Sequence, residues 1–204
     1  MKQLLLTILM MIHATCLVAL DADDNNTFHN LCYGIKISKP EKWKFENYQN
    51  LLKSDIHFIY KNEEMANKIN ECPTSYCVLI TRYNEPYDGL NPILKVTPVI
   101  IKDYANVNPT FILKTYLSLM NNFFNDFSIV QGVNNLKIDG NTAYQVKAKY
   151  SVKDNLNRTF RINSGMTIVI KDSIGFVIQT TCAQDGDDLT DKQFDFIINS
   201  IKFD

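Results

Sequence analysis

The chain is poor in the residues that punctuate or specialise a protein: of 204 residues, seven are glycine, six proline, three histidine and one tryptophan. So little Gly and Pro excludes collagen-like and low-complexity architecture. Three histidines, His13, His29 and His57, are scant material for general-base catalysis or a zinc cluster. Neither a G-x-S-x-G elbow nor an H-E-x-x-H helix occurs, and the glycines form no phosphate-cradling loop. Charge of one sign is missing as well. The 21 basic and 22 acidic residues leave a formal net charge of -1, and no basic stripe concentrates a field locally, so nucleic acid is not an expected partner. What is present is apolar mass: 46% of residues are hydrophobic, with ten Tyr and twelve Phe. That suffices for a single domain, which at this size buries roughly 70% of the surface its unfolded chain exposes, without needing a metal or other cofactor.

Only one long apolar run occurs. Met1-Lys2-Gln3 places a positive charge before Leu4 to Leu20, which carries no charge and gives way to Asp21, Asp23 and Asp24. This pattern predicts a signal peptide over residues 1–22, cleaved after Ala19 or Ala22, and a mature domain over 23–204 that is periplasmic or secreted and has no membrane span. Cys16 fits lipidation poorly, because Thr15 precedes it and Leu17 to Leu20 continue the apolar run on the wrong side.

The mature chain then holds Cys32, Cys72, Cys77 and Cys182, an even number in an oxidising compartment, so disulfides are the first reading. Three pairings are possible. A turn at Pro73-Thr74 brings Cys72 and Cys77 together, leaving Cys32 at the first strand to meet Cys182 at the last. The second bridge would close a loop of about 150 residues, for which chain entropy assigns ~5 kcal/mol. Zinc is the weaker reading, since a lone C-x₄-C pair lacks the partners of a tetrahedral site.

Period-two alternation in Tyr33 to Ser38, Ile56 to Tyr60, Tyr76 to Tyr83 and Ile93 to Tyr104 predicts strands, with Pro98 placing the last at an edge or breaking it. The spacing of Trp43, Phe45 and Tyr48 leaves a helical turn and a packed loop both open. Pro109 to Phe127 predicts a helix capped by Asn108, with Ile112, Tyr116, Leu119, Met120 and Phe123 as its apolar stripe, Leu117 also directed to the sheet, and Lys114, Ser118, Asn121, Asn122 and Asn125 wet. From Val133 the period returns to two. Tyr144, Val146, Ala148 and Tyr150 share one strand face against Gln145, Lys147 and Lys149, and Asp139-Gly140, Lys153 to Asn157 and Lys171 to Ser173 supply turns, which describes an antiparallel meander through Cys182. Thr190 with Gln193 matches a capping box, and Phe194, Ile197, Ile198 and Ile201 form the buried face of a final helix.

Pro40-Glu-Lys-Trp43 after the first strand, the long mid-chain helix, Lys137-Ile-Asp-Gly-Asn-Thr-Ala-Tyr144 opening the meander and Phe196-Ile-Ile-Asn-Ser-Ile201 closing the chain together resemble the PsbP-like family. The resemblance spans most of residues 31–204. It implies an α+β fold, an α/β/α sandwich on a largely antiparallel sheet, and a non-enzymatic accessory or adaptor role. Members of that family include an extrinsic subunit of the photosynthetic oxygen-evolving complex and a Ran-binding import factor, but neither role transfers. The leader opposes a nuclear adaptor, and nothing in the chain marks a photosynthetic partner.

Candidate chemistry is sparse. His29 falls in a polar N-terminal stretch, and His57 alternates with Ile56 and Phe58 as a sheet histidine. Gln184 to Asp191 is acidic but lacks the sixth-position Gly and twelfth-position Glu of a calcium loop, so it reads as a helix start. Asn25-Asn-Thr27 and Asn157-Arg-Thr159 fit the glycosylation pattern, which matters in a eukaryote. The expectation is an exported, monomeric binding or accessory protein for a protein or small-molecule partner that no residue names. The alternative is a secreted hydrolase whose carboxylates, Asp185 and Asp187 for instance, converge only in the fold. Clustered carboxylates or a His in a pocket favour the enzyme; a shallow apolar patch favours the binder.

Overall fold

The computed structural model describes residues 26–30, 33–46, 78–84, 86–100, 108–124, 126–154, 156–172, 174–185 and 188–204. The predicted leader, His57, the expected strand at 56–60, Cys32, Cys72 and Cys77 lie outside the described residues.

The sheet is built around the predicted meander. Strands β6 (Ser128–Ile138), β7 (Asn141–Lys153), β8 (Thr159–Lys171) and β9 (Ile174–Ala183) run antiparallel in sequence order. Asp139 and Gly140, with φ of 46° and 77°, form the two-residue turn that an Asp-Gly pair favours between twisted strands. On the far side of β9 lie β5 (Ile93–Ile100), β4 (Val78–Thr81) and β3 (Lys44–Phe45), completing a seven-stranded sheet of order β3-β4-β5-β9-β8-β7-β6. Pro98 does not break β5. It pairs with Phe176 of β9 within a continuous strand, and the described pairing with β4 runs from Ile93 to Val96.

A second, three-stranded sheet joins distant parts of the sequence: β1 (Thr27–Asn30), β2 (Ile35–Ser38) and β10 (Lys202–Phe203), in the order β1-β2-β10. Here the sequence reading is corrected. The strand read as first is second, and His29 belongs to β1, where its Nε2 lies 2.6 Å from Asp204 Oδ2. Short, mixed-polarity strands carry too little alternation to stand out. β10 is held by the Asp139 carboxylate, which accepts from Phe203 N at 2.9 Å and from Lys202 Nζ at 3.2 Å.

The helices cover opposite faces of the large sheet. α1 (Pro109–Phe123) is capped by Asn108, whose side chain accepts from Thr110 N and Phe111 N, and its buried Leu113 and Leu117 meet Val146, Ala148, Met166 and Ile168. α2 (Asp188–Asn199) packs Phe194, Ile197 and Ile198, with Ile201 just beyond it, on the other face together with Trp43, Phe28, Ile35, Ile37, Phe176 and Ile178. This is the expected α/β/α arrangement on an antiparallel sheet, with the small sheet beside α2. The capping box is not formed. α2 begins two residues before Thr190, which is buried inside the first turn and accepts from Arg82 Nη1 at 2.6 Å, while Gln193 Oε1 is buried without a hydrogen-bond partner.

The stripe predicted for α1 is rotated. Leu117 is buried as expected, but Ile112, Leu119 and Phe123 point away from the sheet, and Leu113 takes the innermost place. At 3.6 residues per turn the apolar positions from Leu117 round to Leu119 span an arc of roughly 160°. A nearly flat sheet covers only part of it, and periodicity does not say which part.

Candidate functional site

Two surface features stand out, one on each face of the large sheet. On the α1 face the uncovered part of the apolar arc forms a ridge. Leu119 and Phe123 are 51% and 61% exposed, Ile112 lies on the same stripe two turns earlier, and Phe111 is 68% exposed on the helix's outer side. Lys114 is the one charged side chain in the helix. On the other side of the helix from this ridge, a shallow groove is lined by Lys114, Ser118, Asn121, Phe127 and the exposed Ile129 of β6, whereas Val130 lines the cleft on the opposite face of the sheet. The helix is anchored beneath by Tyr116, whose hydroxyl lies 3.4 Å from Ser164 Oγ and whose pKa is raised by burial, so it stays a neutral phenol.

On the other face a small cleft lies between α2 and strands β7 to β9, with a volume of about 160 Å³. Strand register explains its floor. Lys147 of β7 stands opposite Gly165 of β8, and Gly165 opposite Thr180 of β9; the next row is Lys149, Asn163 and Cys182. Gly165 lines the floor, and its missing side chain gives room to the neighbouring Thr180, since a Cβ there would lie 2.6 Å from Thr180 Oγ1. α2 forms the roof, presenting Asp191, Phe194, Asp195 and Ile198 at helical spacing over the floor. Among the described residues, neither lysine forms an ion pair with either aspartate. Asn163 Oδ1, on the floor, is buried without a hydrogen-bond partner.

Of the cysteines and carboxylates singled out from sequence, Cys182 is the one that reaches the cleft among the described residues. Cys182 is buried on the cleft floor, at the end of β9 away from the Phe176–Phe203 ring contact, and Cys32, Cys72 and Cys77 are outside the described residues. Asp185 is exposed in the turn after β9, and Asp187 is not among the described residues. Among the described residues no group of three His, Cys, Asp or Glu is placed to hold a metal, and no helix is long and apolar enough to cross a membrane. The sequence reading took Asp191 only as the end of an acidic helix start and passed over Asp195 and Gly165. One signal was available: Lys147 and Lys149 lie on the strand face opposite Val146 and Ala148, and a helix covers both faces.

No protein-family model matches the sequence, and a comparison with curated proteins finds no match. Solved structures do match. Cyanobacterial PsbP from Synechocystis sp. PCC 6803 is similar over 90% of this chain and 96% of its own, at 13% identity and a TM-score of 0.55. LpqN of Mycobacterium tuberculosis, involved in cell envelope biogenesis, is similar over 82% of each chain at 12% identity and a TM-score of 0.49. The Saccharomyces cerevisiae Ran-binding protein Mog1p is similar over 88% of this chain and 95% of its own, at 9% identity and a TM-score of 0.49. The likeness to cyanobacterial PsbP shows a PsbP-like fold.

Proposed function

We propose that this PsbP-like chain is an exported, non-enzymatic accessory protein that docks on a partner protein through the outer face of α1. The ridge of Ile112, Leu119 and Phe123 carries the reading. Apolar and aromatic side chains gathered on one exposed element, with little charge among them, have the composition of an interface centre. A bilayer is the poorer occupant, because membrane-surface helices are rich in Lys and Arg and this one has a single Lys. The enzyme reading has its own observation in Asp191 and Asp195, which share the cleft. They stand one helical turn apart on one element and so approach a bound molecule from the same side, whereas glycoside-cleaving carboxylates flank the scissile bond.

The test is recovery of a stoichiometric partner from the native exported fraction by the mature chain. The reading expects that partner to be lost with the double variant Leu119→Asp/Phe123→Asp, at unchanged melting temperature, and kept with Lys147→Met. Partner recovery indifferent to the ridge variant, or binding to anionic vesicles in its place, overturns it.

Export and oxidation belong to the same reading: cleavage after Ala19 or Ala22, and bridges Cys72–Cys77 and Cys32–Cys182. Intact mass of the exported product tests the first. Peptide mapping without reduction tests the second, and its demanding half is Cys182, which lies roughly 20 Å along β9 from Phe176 and hence from the end of the small sheet where Ile35 pairs with Phe203. An alkylatable Cys182 in the unfolded, unreduced protein removes the longer bridge.

A further inference from the structure

We propose that β10 is an acid-released strap: a two-residue strand that stays on β2 while Asp139 and Asp204 are ionised and is expelled when both carboxylates are neutralised. It packs on the α2 side of the large sheet, away from the α1 ridge, so it stands or falls separately from the docking reading. Three observations carry it.

The first is how β10 is held. Its ladder with β2 places Lys202 opposite Lys36 and Phe203 opposite Ile35, and Asp204 N then donates to Gly34 O at 3.0 Å. Among the described residues, the side-chain hydrogen bonds that fasten it run through two carboxylates. Asp139, from the β6–β7 turn, accepts from Phe203 N at 2.9 Å and from Lys202 Nζ at 3.2 Å, and Asp204 Oδ2 lies 2.6 Å from His29 Nε2 of β1.

The second is the charge beneath those contacts. Register sets His29 opposite Lys36 and Lys36 opposite Lys202, and directly opposed residues share a face, so three basic side chains stand in one row across the three strands. Neighbours in such a row are about 5 Å apart at their Cα atoms, and like charges directly opposite destabilise a sheet. The two acids stand at the ends of the row, Asp204 on His29 and Asp139 on Lys202, while Lys36 in the middle has no ion pair among the described residues. From the β8–β9 turn Lys171 adds a further positive field at Asp139, and it is itself 3.0 Å from Asp172 Oδ2. Acid removes both anions and leaves His29, Lys36 and Lys202 all positive. The groups that hold the strand at neutral pH then push it off.

The third is what the strap covers. The Phe203 ring lies 5.0 Å from that of the buried Phe176, and Phe203 packs on the same cluster as Ile35. Release opens one edge of β2 and bares this apolar surface, while β7 and β8, each 13 residues long, keep their ladders. Opening is therefore local. The hydrogen bond from Phe203 N, with Lys202, lowers the pKa of Asp139, so its hold is present above the unfolded value and is lost as the pH falls through the depressed folded one, below about 4.

Hydrogen exchange of the mature chain, followed from about pH 7 to about pH 3 and corrected for the intrinsic rate, tests the strap. The Phe203 and Asp204 amides are expected to lose protection by about tenfold or more below about pH 4, while the amides of β7 and β8 stay protected. Asp139→Asn is expected to bring the same loss at neutral pH. Lys36→Gln, which takes the middle cation out of the row, is expected to slow exchange at the β10 amides by about two- to fivefold in acid and to leave it unchanged at neutral pH. Protection of β10 that persists until β7 and β8 open as well overturns the proposal, because the strand then unfolds only with the whole. So does release in acid that Lys36→Gln leaves unaltered, and so does an Asp139→Asn protein whose β10 is as protected at neutral pH as the parent's.

Discussion

On the α2 face of the large sheet, eighteen buried residues form one continuous cluster, drawing on β1, β2, Trp43, six strands of the large sheet and the C-terminal helix. On the α1 face, six do. The first cluster is closed by β1, β2 and β10, which meet in the three-stranded sheet and cover it together with α2. The second is closed by one helix laid over β6 to β8, which leaves part of its own apolar arc in water. The lesson is that coverage, and not hydrophobicity, separates a core from a docking surface: α1 is the more apolar helix and the less completely buried one.

Removing mass from the better-covered face should cost most. Phe176→Ala, which empties a site 1% exposed beside Phe203, is expected to lose about 3–5 kcal/mol in denaturant unfolding. Leu113→Ala on the α1 face should cost about 2–3 kcal/mol, in the lower part of the usual range, because the smaller cluster beside open surface can relax into the space. Equal losses at the two sites would erase the distinction between the faces. Asn108→Ala removes the α1 cap and is expected to cost about 1 kcal/mol, read in the same assay.

Phe123→Ala sharpens the comparison further. The stripe read from sequence requires a core-sized loss there, whereas the observed face predicts a change within about 0.5 kcal/mol. The smallest effect is electrostatic. Asp139 has its pKa lowered by the hydrogen bond from Phe203 N and by Lys202, so the folded state holds this carboxyl ionised more tightly than the unfolded chain does. Its contribution is present above the unfolded value of about 4 and is lost as the pH falls through the depressed folded one, so Asp139→Asn should flatten the acid limb of the stability profile below about pH 4 and leave its alkaline limb alone.

The antiparallel meander, its Asp-Gly turn, the Asn108 cap and the buried face of α2 were all legible in the sequence, because each rests on neighbours a few residues apart: alternation at period two, a turn dipeptide, a cap, an i, i+3, i+4 stripe. β1 and β10 were not, since two to four residues of mixed polarity become strands only when a distant partner supplies the hydrogen bonds. The rotation of α1 was not either. An apolar arc wider than the surface it covers is satisfied by several rotations, and only packing against Val146 and Met166 selects Leu113 and Leu117 over Ile112 and Phe123. The cleft lay furthest from view. Lys147, Gly165, Thr180 and Asp195 are 15 to 18 residues apart in sequence, and it is strand register, together with a helix returning over the sheet, that places their opposite charges around one glycine.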